Sequence, residues 1–583
     1  MENGIIKGCF QDWKVAHVEE KSVKELCDYF KIPYWVSRFL INRGISSPPA
    51  TEKFLYPSLD KLPTPEIFPG IGIAAERIRK AITFNQPVAV YGDYDVDGIT
   101  GTTILTDFLR FAGARVQPVL PNRFEHGYGL NARIIDELAL LGVKLLITVD
   151  CGITNVREVD YASKLGIDTI VTDHHRPGPD LPKALAVINP HLIFENQHNL
   201  EADNPGYLAG VSVAFYLMIY LRKHFRETNF WKHKVEPNLK KYLDLVALGT
   251  IADQVPITGI NRILTKFGLP VLERSEKPGV KALLQLCKLT NKKISVWDVG
   301  FLLAPRINAA GRMGVEHLAL ELLMHDDTSK AQRIALELDR LNQKRQHCEE
   351  KILKEALDMI ENPVHCLKEA SALVLANDDW HRGIIGIVAS RIVDRFGKPA
   401  ILLAKNEGYW EGSARSVSSF DIFKALTQCK DTLEKFGGHR MAAGLRVSPD
   451  NLNAFVESFN RIASETIPST GIRKQITIDS KLALRDITPQ TMEFIDKLSP
   501  YGLGNPRPVF LLESFIVRDL RVLKDKHLML YIEQNGKSMR ALGFNLVEDP
   551  AKLPNSFRYL AFYPVYNHWE GNTYLELRIL DFC

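Results

Sequence analysis

The sequence predicts an α/β protein with a parallel-sheet domain, a long connector helix, a second and smaller α/β domain, and a C-terminal β-barrel. Three observations predict it. Short apolar runs alternate with helical patterns over about 75–265, the signature of parallel strands covered on both faces by helices. A charged stretch free of Gly and Pro runs from Thr328 to Asn362. Beyond 472 the pattern becomes β-rich.

The 583 residues exceed what one core supports, so three or four domains are expected. Apolar residues make up 45% and charged residues 24%, ordinary for a globular protein. A net charge of +4 neither demands nor excludes a nucleic-acid partner, because a basic groove can sit on a near-neutral chain. The eight cysteines are scattered with no C-x-x-C pair, which fits a reducing, cytoplasmic setting. The start Met-Glu-Asn-Gly lacks the pattern of a secretory signal, so none is expected. The most apolar stretch, Val211 to Leu221, is too short to span a bilayer and reads as a buried helix, so no membrane partner is expected.

A helical segment is expected over 1–74, then strands at Val88–Tyr91, Val116–Leu120, Leu145–Val149, Thr169–Thr172 and Leu185–Ile188. Helices are expected between them over Gly101–Phe111, Ala132–Leu141 and Val156–Leu165, with Gly113, Gly142 and Gly166 where C-terminal caps belong. A helix-rich part follows to 325. From Thr328 to Asn362, with Pro363 as the stop, a single helix would reach about 50 Å, a connector between lobes; two shorter helices are the alternative. Over 363–465 a strand–helix–strand pattern gives Ser371–Ala376, Ile384–Phe396 and Ala400–Ala404. Over 466–583 seven runs are β-like, and about five of them pairing with one another would make a small barrel such as an OB-fold. There Phe544, Tyr531 and Arg540 are available to hold a single strand, although Phe544 is expected in the barrel core.

Three of the apolar runs end in aspartate: Asp93-Tyr-Asp95-Val-Asp97-Gly, Val-Asp150-Cys-Gly and Thr-Asp173-His174-His175. In open α/β sheets, chemistry sits at the carboxyl ends of the strands. The first segment invites a calcium-loop reading, but loop position 12 is Ile104 and a strand precedes. Three like charges after a buried strand would repel without a cation, which favours a metal site. Asp95, Asp97, Asp150, His174 and His175 offer more ligands than one catalytic ion needs. Their mixture suits Mn²⁺, or Mg²⁺ where carboxylates dominate. Asp253, after an apolar helical run and before Pro256, is equally a further ligand or a helix-end loop residue. Among basic residues, Arg123 follows a strand end, and Arg306 and Arg312 flank Asn308 in a Gly- and Ala-rich stretch. The arginine fork matches phosphate oxygens.

These four acidic and histidine segments, with Ile-Ala-Asp253-Gln-Val-Pro among them, resemble the metal-site motifs of the DHH phosphoesterase superfamily. Further segments are similar to its bacterial single-strand-specific exonucleases: Arg123-Phe-Glu-His-Gly-Tyr-Gly-Leu, Pro305-Arg306-Ile-Asn308-Ala-Ala-Gly-Arg312, Trp380-His-Arg-Gly-Ile-Ile-Gly, Ser413-Ala-Arg415-Ser, Gly437-Gly438-His439 and Tyr501-Gly-Leu-Gly-Asn-Pro. The resemblance implies a DHH catalytic domain over 75–325, a connector helix over 326–362, a DHH-associated domain over 363–465 and an OB-fold over 466–583. It implies Asp95, Asp97, Asp150, His174 and Asp253 as metal ligands for two Mn²⁺ or Mg²⁺ ions during catalysis, with Asp93 and His175 as catalytic residues beside them. Tyr91 stands where some members carry His, so one ligand of the second ion is missing. Arg123, Arg306, Asn308, Arg312, Ser413, Arg415, Gly437, Gly438 and His439 would hold substrate. The implied activity is 5′→3′ release of mononucleotides from single-stranded DNA in repair and recombination. The implied partners are single-strand-binding protein and a RecQ-type helicase, and a monomer is expected. A phosphodiesterase for cyclic dinucleotides or short oligonucleotides and an inactive DNA-binding scaffold are the alternatives.

Overall fold

The computed structural model describes residues 5–193, 207–362, 367–554, 556–569 and 572–583. The chain divides into two compact units, one built from residues 14–339 and 477–583, the other from 340–476 with 6–13.

The first unit is centred on five parallel strands: Val88–Gly92, Val116–Val119, Leu145–Val149, Asp168–Thr172 and Ala186–Ile188. The strand Val88–Gly92 lies between Val116–Val119 and Leu145–Val149, and the order continues through Asp168–Thr172 to Ala186–Ile188. Three of these strands are buried nearly end to end, as expected of a sheet covered on both faces. Register matters more than composition here. Gly92 pairs with Val149, and Val149 pairs with Thr172. The next residues, Asp93, Asp150 and Asp173, therefore leave the sheet side by side.

The helices between the strands run Val96–Ala112, Ala132–Leu140 and Val156–Lys164. Gly113, Gly142 and Gly166 all take the left-handed backbone that ends a helix. The first helix starts five residues earlier than Gly101, because Asp95 caps it. The helix Gly210–Glu227 is buried over most of its length, and Leu243–Ala252 is buried on all sides. The segment before the sheet is not wholly helical: it carries short strands at Ile5–Lys7 and Asp12–Val15 besides its helices. The connector is one helix, Thr328–Glu361, of 34 residues; Pro363 lies outside the described residues.

Residues 477–583 contribute a seven-stranded mixed sheet. Its inward residues include Phe510, Leu530, Phe562 and Leu577. Phe544 corrects the expectation of a core position, since it is 51% exposed. In the strand Lys537–Gly543, residues Met539, Ala541 and Gly543 face inward, so the alternation turns Phe544 out. Arg578 lies over its ring at 4.4 Å. Tyr531 is also exposed, and Arg540 is paired with buried Glu576.

The second unit holds a five-stranded sheet in the order Lys435–His439, Ala442–Val447, Tyr409–Arg415, Ala400–Asn406, Leu373–Asn377. Phe420, Phe455, Phe459, Ile401 and Leu403 form its core with the helix Leu452–Ser464. Among the described residues no helix is long and apolar enough to cross a membrane.

Candidate metal centre

The acidic edge of the parallel sheet is built by backbone rather than by long side chains. Asp95 is the N-cap of Val96–Ala112, and its carboxylate accepts from the Asp97 and Gly98 amides at 2.9 and 3.1 Å. That places Asp97 in the first helical turn, fully buried. Its two carboxylate oxygens accept from the Gly210 and Val211 amides at 2.6 and 2.8 Å, at the start of Gly210–Glu227. Gly210 is needed there, because a Cβ would stand 2.6 Å from the Asp150 Cβ and 2.8 Å from its Oδ1.

Asp150 leaves its strand in the left-handed region, φ 63°, an uncommon conformation for a residue with a Cβ. Its Oδ1 lies 3.0 Å from the His174 Nε2. The same imidazole nitrogen is 3.9 Å from Asp97 and 3.7 Å from Asp253. Asp253 arrives from the C-cap of Leu243–Ala252. Asp173, which the sequence does not mark as a site residue, holds the histidines in place. It is fully buried and accepts from the Ile153, His174 and His175 amides and from the His175 Nδ1 at 2.8 Å. Tyr128, also missed, sets its hydroxyl 3.0 Å from the same Nδ1.

Three ligand groups form, each with donor atoms within 4.8 Å of one another: Asp97–His174–Asp253, Asp93–Asp95–Asp150 and Asp150–His174–His175. Asp150 therefore belongs with both an acid–imidazole set and an all-acid set. Asp93 Oδ1, Asp150 Oδ1, His174 Nε2 and Asp253 Oδ2 are buried without a hydrogen-bond partner. Buried polar atoms are rarely left so. Burial, reinforced by neighbouring carboxylates, pushes the acids of Asp93, Asp150 and Asp253 well above their usual range and that of Asp97 up to about 7. Burial, with His175 beside it, pushes His174 down to about 3. Burial also opposes ionisation of Asp173 and His175, but their mutual hydrogen bond outweighs it, lowering the first and raising the second. Neutral imidazole and crowded carboxylates are what divalent cations take as ligands. The residues fit divalent cations, and Asp150 and His174 each stand in two of the three sets.

A cavity of about 310 Å³ adjoins them, lined by Asp93, Asp95 and Asp253 and by Arg123, Asn308 and Arg312. The Asn308 Oδ1 accepts from the Val96 amide at 3.2 Å, and Arg123 lies over the Tyr94 ring. Arg306 does not line this cavity; it is bonded to Asp339 at 2.9 Å and to the Leu302 carbonyl. Tyr91 is buried with its hydroxyl spent on the Gly129 carbonyl at 2.8 Å, packed among Leu130, Ile134 and Leu138. In the second unit, Ser413 and Gly437 both register with Gly444, and Arg415 and His439 both register with Ala442. These residues thus line up across three strands, and Arg415 donates to the Ser413 Oγ at 3.0 Å.

The model of the DHH family N-terminal domain matches residues 87–250, that of the DHHA1 domain 369–465, and that of the RecJ OB domain 478–581. The single-stranded-DNA-specific exonuclease RecJ of Bacillus subtilis is 34% identical over 98% of this chain and 70% of that protein. The same-named protein of Escherichia coli is 34% identical over 96% of this chain and 98% of its own length. The chain belongs to the RecJ family. RecJ of Thermus thermophilus in complex with Mn²⁺ aligns over 98% of this chain and 79% of that chain, with TM-score 0.83 and 32% identity. The Mg²⁺ complex of that RecJ aligns with TM-score 0.77 and 30% identity, over 98% of this chain and 78% of that one.

Proposed function

We infer that this chain is a single-stranded-DNA-specific exonuclease that removes mononucleotides from a 5′ end in DNA repair and recombination. The observation that carries the reading is the shared-ligand arrangement around Asp150, open to a cavity lined by two arginines. Asp95, Asp97, Asp150, His174 and Asp253 would hold Mn²⁺ or Mg²⁺, with Asp93 completing the acid set. Bound there, such ions lower the pKa of a water and stabilise charge on the phosphate oxygens. Arg123 and Arg312 bind the non-bridging oxygens of the phosphate nearest the 5′ end. Asn308, fixed by the Val96 amide, orients the sugar-phosphate. His175, with Nδ1 held by Asp173, supplies a proton at Nε2 to the departing 3′ oxygen.

The domain division at 74/75, 325/326, 362/363 and 465/466 belongs to the same reading, and the three matched segments fall inside it. In the smaller α/β domain, Ser413, Arg415, Gly437, Gly438 and His439 form a substrate-binding ladder; Arg306 belongs to the same substrate-holding set and would have to leave Asp339 to reach a phosphate. Single-strand-binding protein and a RecQ-type helicase as partners rest on the family resemblance and are tested by co-migration; a monomeric state is tested by gel filtration, and a cytoplasmic setting, suggested by the scattered cysteines, by cell fractionation.

The test uses 5′-phosphorylated single-stranded DNA after chelation and with Mn²⁺ restored. Mononucleotides released from the 5′ end are expected, while Asp97→Ala abolishes cleavage and leaves DNA binding largely intact. Cleavage confined to dinucleotides, or full activity in Asp97→Ala, would sink the reading.

A further inference from the structure

The segment that carries Asn308 and Arg312 begins further out, at a feature the chemistry above does not use. Val296–Asp298, Val299–Leu303 and Ala304–Arg312 run on as one helical rod, whose middle section is a wider, π-helical turn. Pro305 follows that turn and has no amide to offer the Phe301 carbonyl, which an ordinary α-helix would require. The Leu302 carbonyl within it accepts from the Arg306 Nη1 at 2.7 Å. Turns of this kind are frequent at functional sites.

The rod has two sides. Val299, Leu303, Ile307 and Ala310 are buried. Trp297, Phe301, Pro305, Asn308 and Arg312 recur at spacings of three and four, so they share the other face. One end of that face reaches the acidic cavity, which Asn308 and Arg312 line. The other end is aromatic and open.

Trp297 is 58% exposed and Phe301 65%. Their ring centroids lie 5.3 Å apart with planes 20° from parallel, a stacked pair. Single exposed apolar side chains are ordinary, but gathered ones mark an interaction site. Asp298, between them in sequence, keeps its carboxylate on the Ser295 amide and hydroxyl at 2.8 and 2.6 Å. Lys288 and Lys292 are exposed in the loop just ahead of the rod. Two open rings beside lysines suit the bases and phosphates of a single strand. A protein partner could also cover two rings. What favours a nucleic acid is continuity, because the same helix face runs on to Asn308 and Arg312 at the cavity. At 1.5 Å per residue, Phe301 and Trp297 stand about 10 and about 16 Å along the rod from Asn308. A stacked strand advances about 3.4 Å per nucleotide, so those spans correspond to about three and about five nucleotides.

We propose that Trp297 and Phe301 form a stacking platform for bases of the single strand about three to five nucleotides from the end held in the cavity. Such a platform also selects for single strands, since paired bases in a duplex have both faces covered by their neighbours. The placement of the strand's end rests on the exonuclease reading. The test is fluorescence anisotropy of the full chain, in chelator, with a labelled 12-nucleotide 5′-phosphorylated DNA strand. A second strand carries abasic sites at its third to fifth nucleotides. Trp297→Ala and Phe301→Ala should each weaken binding of the intact strand by at least ~5-fold, the lower end of what a lost base–ring stack costs. Trp297→Phe should recover most of that loss. The abasic strand should bind wild type more weakly by a similar factor, and the alanine variants should weaken it no further. Unchanged affinity of the folded double variant for the intact strand overturns the proposal and leaves the rings as a surface for a protein partner. An equal loss by the variants on intact and abasic strands overturns it as well. Should the variants fail to fold, wild type decides: equal binding of the two strands refutes the platform. Binding is read without cleavage, so the outcomes separate. A wild type that stacks the strand but releases no mononucleotides with Mn²⁺ removes the exonuclease reading alone; cleavage without base-dependent binding removes the platform alone.

Discussion

Replacing Gly210 by Ala tests the metal centre without touching a ligand. The added Cβ would lie 2.6 Å from the Asp150 Cβ and 2.8 Å from Oδ1, where ordinary contact begins near 3.4 Å. Asp150 must then retreat by about 0.6–0.8 Å, the difference between those distances. It has little room, being 2% exposed with its backbone amide tied to the Thr172 carbonyl. Asp150 stands in two of the three ligand sets, so both lose geometry together. A misplacement of about 1 Å in a catalytic constellation costs about 100-fold in rate, and overpacking of this kind costs about 1–3 kcal/mol of stability. The assay is cleavage rate on single-stranded DNA against Mn²⁺ concentration, beside thermal melting with and without the ion. The rate should fall by about two orders of magnitude and the Mn²⁺ requirement should rise. A variant with wild-type rate and unchanged Mn²⁺ dependence would refute the packing argument.

Asp253→Asn removes one crowded charge; in chelator it should melt at or above the wild-type temperature, yet need at least ~10-fold more Mn²⁺ for cleavage, because like-charge repulsion and a cation ligand are lost together. Tyr91→Phe forfeits one buried hydrogen bond to Gly129, about 1 kcal/mol by melting, and should leave cleavage unaltered; a tenfold loss would give Tyr91 a part in the chemistry. Burial, with Arg262 nearby, pushes Lys266 from 10.5 down to about 8. Folding therefore disfavours its charged form, a penalty present below pH 8 that fades as pH rises toward 10.5. The melting-temperature difference between Lys266→Met and wild type should accordingly shift toward wild type between pH 7 and 10, and a flat difference would show that burial exerts no such pressure.

Short apolar runs alternating with helical patterns place the five parallel strands, and glycine chemistry places the ends of three helices. Aspartates directly after strand ends were legible because a strand's last residue and its register decide where the next side chain goes. What the pattern could not convey is contact between distant segments. The Gly210 amide reaches Asp97 across 113 residues, and no local signal in Gly-Val-Ser marks it. Asp173 was visible as a residue but not as the clamp of two histidines, since that role depends on the turn of the backbone around it. Arg306 reads as a phosphate ligand by type, and only the helix Thr328–Glu361 brings Asp339 to it. Phe544 was placed inward by its apolarity, whereas strand parity turned it out. The strands Tyr409–Arg415, Lys435–His439 and Ala442–Val447 escaped because glycines dilute their apolar alternation.

The helix start at Gly210 bears on how long an ion stays. Both Asp97 oxygens already accept backbone amides, and the positive end of an 18-residue helix dipole points at the same place. Each effect weakens the hold on a cation relative to what the number of acids would suggest. Ions held here would therefore trade with the surrounding pool instead of staying as permanent cofactors. Its turnover should follow free Mn²⁺ or Mg²⁺ reversibly, falling on dialysis against chelator and returning in full when the metal is put back.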